Sequence, residues 1–121
     1  MIRTDLEAYI ESTSEISPDH PFARYPDISV YRHIGNRKWF AAQMTVPKTT
    51  LRIKEDSMID IVNVKCDPEV LLSFRGQPGI YPAYHMNRNH WLTVALDGQA
   101  DDGTVAFLLG ISYDLTKEKR I

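Results

Sequence analysis

The chain is short of sulfur, of long apolar runs and of excess charge, and each shortage closes off a class of protein. A single cysteine, Cys66, among 121 residues rules out an internal disulfide and a zinc site built on several cysteines. A reducing cytoplasm is the expected setting. No apolar run approaches the ~20 residues that a membrane-spanning helix needs. Met1 to Glu7 brings in Arg3, Asp5 and Glu7 where a secretory leader would carry an apolar stretch. No membrane association is therefore expected. With 14 basic against 16 acidic side chains, the formal net charge is −2. Strong non-specific nucleic-acid binders are usually basic, so any DNA contact must rest on a local patch. There is no internal repeat, no low-complexity tract and no Gly-rich phosphate loop. No paired carboxylates or Ser/His/Asp constellation has a recognisable spacing. Gly76-Gln77-Pro78-Gly79 is turn chemistry. No catalytic residue, no cofactor and no enzymatic activity are expected.

What is present fits one α+β domain over residues 1–121. Hydrophobic residues make up 43% and charged residues 25%, a balance that excludes disorder. Asp5 to Ser12 reads as a first helix, with Leu6, Tyr9 and Ile10 on one face and Thr4 as N-cap. Pro18 and Pro21 end it. Ile28 to Ile34 alternates like a strand, and Gly35-Asn36 turns the chain. Trp39 to Val46 alternates again: Phe40, Ala42, Met44 and Val46 share one face, and Trp39, Ala41, Gln43 and Thr45 the other. Met58 to Lys65 is apolar on both sides and reads as a central strand. Asp67 with Pro68 and Glu69 signals a helix start, for a short helix to Phe74. A hairpin is expected from Ile80 to Met86 and from His90 to Leu96. A last helix starts at Asp101 or Asp102 and runs to about Leu115, with Val105, Leu108, Leu109 and Ser112 inward. The tail Lys117-Glu118-Lys119-Arg120 suits a helix C-terminus. The order is αβββαββα. It predicts a two-layer sandwich, helices on one face of a mainly antiparallel five-stranded sheet, with the other face partly open.

The hairpin register is less determined. A three-residue loop Asn87-Arg88-Asn89 pairs Met86 with His90 and Tyr84 with Leu92, and gives the cleanest apolar face. A two-residue loop sets Tyr84 opposite His90, and a four-residue loop brings His85 and His90 together. Under the first register the histidines separate, so no metal site is expected, although Asp60, Cys66 and Asp97 are the nearby ligand types. Cys66 sits before a helix start, where a thiolate gains from the dipole, but Asp67 and Glu69 oppose that. A buried structural cysteine is the expectation.

Several segments together carry a resemblance. Pro82-Ala83-Tyr84-His85-Met86-Asn87-Arg88 followed by His90-Trp91 is similar to the signature of the MmcQ/YjbR family. Lys38-Trp39-Phe40-Ala41, Lys65-Cys66-Asp67-Pro68, Leu96-Asp97-Gly98 and Ser112-Tyr113-Asp114-Leu115 resemble further elements of it. The resemblance spans about residues 28 to 115 and implies a YjbR-like, secretion-chaperone-like fold. It also implies DNA binding through a double-wing arrangement, and it names no catalytic residue.

The expected DNA surface is Arg88 at the hairpin tip with His85, Asn87, His90 and Trp91, joined by Arg37 and Lys38. Contacts would be mainly to phosphate. A basic strip of Arg32, His33, Arg37, Lys38, Lys48, Arg52 and Lys54 would support them, and Tyr31, Trp39 and Trp91 would offer stacking surface on the open face. The competing expectation is a protein-interaction module, docking a partner or a second copy through that face.

Overall fold

The computed structural model describes residues 1–117. Helix α1 (Arg3–Ser14) leads to β1 (Ser29–Arg32), β2 (Trp39–Pro47), a 3-10 turn (Lys48–Leu51) and β3 (Met58–Lys65). Then come α2 (Pro68–Phe74), β4 (Ile80–Pro82), β5 (Trp91–Ala95) and α3 (Asp102–Thr116). This is the expected order. The five strands form one antiparallel sheet in the order β1-β2-β3-β5-β4. Strand β3 is its centre, as its two apolar faces require. No helix among the described residues is long and apolar enough to cross a membrane.

The helices cover one face of the sheet. From α3, Val105, Leu108, Leu109 and Ser112 are buried; from α1, Leu6 and Ile10. They meet Val62, Val64, Leu92 and Val94 of the central strands. Helix α2 starts as its sequence dictates. The Asp67 carboxylate accepts the Val70 N–H at 3.1 Å, and Pro68, which has no N–H to satisfy, occupies the first turn. Helix α1 differs at both ends. Its N-cap is Ile2, with the Asp5 carboxylate accepting the Ile2 N–H at 3.1 Å, so Thr4 lies inside the helix. Glu15 closes it in the left-handed conformation. Of the basic tail, Lys117 is described and pairs with Asp114 at 3.5 Å; Glu118, Lys119 and Arg120 lie outside the described residues.

A β-bulge at Phe40 changes the faces of β2. Tyr31 pairs with Ala41 and Arg32 with Trp39, which leaves Phe40 as the extra residue. Phe40 therefore joins Ala41 under the helices, against the rings of His33 and Tyr113. The strict alternation expected for this strand fails there. Gln43 and Thr45, not the more apolar set, face α1. Gln43 donates to Glu7 at 2.9 Å, and Arg3 donates to Thr45 at 3.1 Å.

Tyr31 is a second correction. It is buried beneath the helices and offers no stacking surface. The sheet face opposite the helices carries its own smaller core of Val46, Leu51, Ile59, Ile61 and Ala95, with Tyr81 and Tyr84 packed against it. Both outer strands are short. Strand β4 ends at Pro82, and β1 is bridged along its outer side by Asp19, which exchanges two 2.8 Å backbone hydrogen bonds with Val30.

Candidate functional site

The bulge also decides where Trp39 goes. It points to the face opposite the helices, as does Lys65, which pairs with Trp91 across β3 and β5. Three adjacent strands thus present Trp39, Lys65 and Trp91 at one end of the sheet. Neighbouring strands lie ~4.8 Å apart, so the strands carrying the two tryptophans lie about two spacings from each other, with the lysine strand between them. Arg37 and Lys38 enter from the β1–β2 turn, and together these five line an open cavity of about 270 Å³ with Thr116.

The backbone beneath Arg37, Lys38 and Lys65 is held from behind. The turn closes through the Arg37 N–H to the His33 carbonyl at 3.0 Å and the His33 N–H to the Lys38 carbonyl at 2.9 Å. Asn36 ties it down: its Oδ1 accepts the Lys38 N–H at 3.0 Å, and its Nδ2 donates to the Thr116 carbonyl at 2.8 Å. Arg37 adopts the left-handed conformation, φ 64°, that such a tight turn demands. Beneath it, the His33 ring bonds Thr116 Oγ1 at 2.8 Å. Burial pushes the His33 pKa below the usual imidazole value. Ser112 pins the strand ends: its hydroxyl donates to the Phe40 carbonyl at 2.6 Å and accepts the Lys65 N–H at 2.8 Å. Trp39 is wedged by the edge of Phe22, at 6.1 Å between centroids, and by the Arg32 guanidinium at 5.6 Å from its ring.

The segment between β4 and β5 is a loop over residues 83–90 where a regular hairpin was expected. Pro82 pairs with Leu92, so the register differs by two residues from the expected Tyr84–Leu92 pairing, and the ladder stops there. The loop folds back onto the sheet. Asn63 donates to the Tyr84 carbonyl at 2.9 Å, and the Tyr84 N–H donates to Thr93 Oγ1 at 2.9 Å. The Thr93 hydroxyl donates to Asn63 Oδ1 at 2.5 Å. This places Tyr84 on the opposite face from Leu92 and Val94. His85, with φ 55°, packs its ring against Tyr84 in a tilted arrangement, 4.0 Å between centroids. Asn87 is spent on the turn: its Oδ1 accepts the Asn89 N–H at 2.8 Å and its carbonyl the His90 N–H at 3.1 Å. The His90 carbonyl accepts the Cys66 N–H at 2.8 Å, with the side chain exposed.

Arg37, Lys38 and Trp91 thus come together, and Arg88 does not join them. It opens onto two other cavities, beside Arg75 and Arg52. The expected basic strip divides as well. His33 is buried, Arg32 pairs with Asp19 at 2.9 Å, and Lys48 with Glu55 at 2.6 Å. Lys65 is the shelf residue that sequence reasoning passed over. Cys66 is buried as expected, and burial, with Asp67 nearby, pushes its thiol up to about 11.

Similar proteins share this framework. The YjbR family profile matches residues 11–115. The uncharacterised protein YyaQ of Bacillus subtilis is 33% identical over 97% of this chain and 99% of its own length. The uncharacterised protein YjbR of Escherichia coli K12 is 34% identical over 68% of this chain and 75% of its own. A crystal structure of a Pseudomonas syringae protein superposes with a TM-score of 0.94 at 39% identity, covering 97% of this chain and all of that one. A Deinococcus radiodurans protein, DR2400, superposes at 0.71 with 26% identity, over 98% of this chain and 80% of that one.

Proposed function

This chain belongs to the YjbR family, and on that premise we propose that it is a non-catalytic DNA-binding protein whose contact surface is the shelf of Trp39, Trp91, Arg37, Lys38 and Lys65. The observation that carries the reading is the joining of two half-buried indoles and three cations in one cavity. None of those three cations forms an ion pair among the described residues. The cations engage phosphates, and the indole faces stack on unpaired bases, each such stack contributing ~1–3 kcal/mol. Stacking needs unstacked bases, so a single strand is favoured over duplex. A local surface of this kind is compatible with the net charge of −2.

Trp39 and Trp91 are the two tryptophans of the chain, so intrinsic fluorescence reports the site directly. Titration with a single-stranded oligonucleotide quenches both, and Trp91→Ala weakens binding by about 5- to 150-fold, the range that one lost stack predicts. Unchanged fluorescence at low salt, with the protein folded, refutes the proposal.

A second reading draws on Phe22 and Tyr25, 40% and 60% exposed on the segment whose Phe22 ring packs on Trp39. They extend the shelf as an apolar rim suited to a protein partner or a second copy of this chain. Association that persists as salt rises favours this reading over phosphate contact.

A further inference from the structure

Arg52, Arg75 and Arg88 belong to three separate segments, yet all open onto one wall, Tyr81–Pro82 of the edge strand β4. A cavity lies on each side of that wall. One, of about 230 Å³, has Leu71, Ile80 and Leu92 among its lining, with Arg75 and Arg88. The other, of about 210 Å³, adds Arg52 and Thr50, again with Arg88. Neither shares a lining residue with the tryptophan shelf.

The backbones carrying these arginines are fixed. Arg52 closes the 3-10 turn in the left-handed conformation, φ 62°. Arg75 caps α2, its N–H on the Leu71 carbonyl at 3.0 Å. Arg88 sits inside the turn that Asn87 holds closed. None of the three forms an ion pair among the described residues. Cations gathered around one wall without carboxylates raise the local positive potential and attract an anion. Guanidinium forks match carboxylate and phosphate oxygens two at a time.

We propose that this end of β4 binds a small aromatic anion, with its ring in the apolar cavity and its carboxylate or phosphate on Arg88 between Arg75 and Arg52. The apolar lining of Leu71, Ile80 and Leu92 calls for a ring or chain, which a bare inorganic ion lacks. The volume lies below the ~300–1,000 Å³ typical of drug-sized ligands, so the ligand is fragment-sized.

The test is an amide and indole NMR titration of the full chain with phenyl phosphate and, separately, with benzoate. Benzyl alcohol and inorganic phosphate are the controls. Saturable shifts at Gly76, Ile80 and Leu92 with either acid, and none at the indoles of Trp39 and Trp91, support the site. The tighter acid identifies the head group as phosphate monoester or carboxylate. Arg88→Gln weakens binding at least tenfold, Arg88→Lys weakens it less, and Trp91→Ala leaves it unchanged. Four results overturn the proposal: no saturable shift with either acid, equal affinity for benzyl alcohol or for inorganic phosphate, an Arg88→Gln affinity within twofold of the parent, or saturable shifts centred on the indoles.

Discussion

Replacing Lys38 by Gln removes one cation from the shelf while keeping its backbone bonds to Asn36 and His33. If Arg37, Lys38 and Lys65 each neutralise one phosphate of a single strand, log K falls with log salt at a slope of about −2, at roughly 0.7 per contact. Raising salt from ~50 to ~200 mM then weakens binding about 20-fold. The Lys38→Gln variant has two contacts left, a slope near −1.4 and a loss of about 7-fold over the same range. Lys65→Gln does the same, since its N–H bond to Ser112 is a backbone bond and survives. Trp91→Ala behaves differently: affinity drops at every salt concentration while the slope stays, because a stack releases no counterions. Fluorescence anisotropy of a labelled single strand, at four or more salt concentrations, reads all of these. An unchanged slope in both lysine variants, or a slope that flattens only in Arg88→Gln, refutes the shelf as the phosphate surface.

Thr93→Val removes the hydroxyl that joins Asn63 to the Tyr84 N–H, and costs about 1–3 kcal/mol for the polar groups left unsatisfied. Chemical denaturation measures the loss, and hydrogen exchange shows it concentrated at the Tyr84 amide. His33 is buried with a lowered pKa, so its unfolded form binds a proton at a pH where the folded form does not. Its contribution to stability is fully present above the ordinary imidazole value of 6.5 and is lost as pH falls from there through the lower folded pKa. His33→Gln should flatten unfolding free energy against pH across that window, and equal slopes for both proteins would contradict the burial argument. With its thiol pushed up to about 11 and its side chain buried, Cys66 should resist a thiol-specific reagent at pH 8 and react fully once the chain is unfolded. Rapid labelling of the native protein would show that the cysteine is accessible after all.

Element order was legible because its signals are local. Pro18, Pro21, Gly76, Gly79 and the Asp67-Pro68 start punctuate the chain, and period-2 alternation marks the strands between. The bulge at Phe40 was not legible. One extra residue shifts the phase of β2, and only its pairing with β1 reveals it. That single residue buries Phe40 and turns Trp39 outward. The 83–90 loop misled for a related reason: its alternation continues that of β4, while the bonds that bend it come from Asn63 and Thr93, distant in sequence. Arg37, Lys38 and Trp91 were visible as residue types around turns. Lys65 was not, because its neighbours belong to the Lys65-Cys66-Asp67-Pro68 helix start and drew the reading there.

The short outer strands have a consequence for assembly. A sheet margin with a free row of N–H and C=O groups is a template on which another chain can add a strand. Here Pro82, which has no N–H to donate, stops one margin after three residues, and the two Asp19–Val30 bonds occupy the other. Growth by main-chain templating is therefore hindered at both sides, by Pro82 on β4 and by the Asp19 bridge at Val30 on β1. The main-chain bonds that could template polymerisation of this apolar sheet are thus reduced where its margins are shortest.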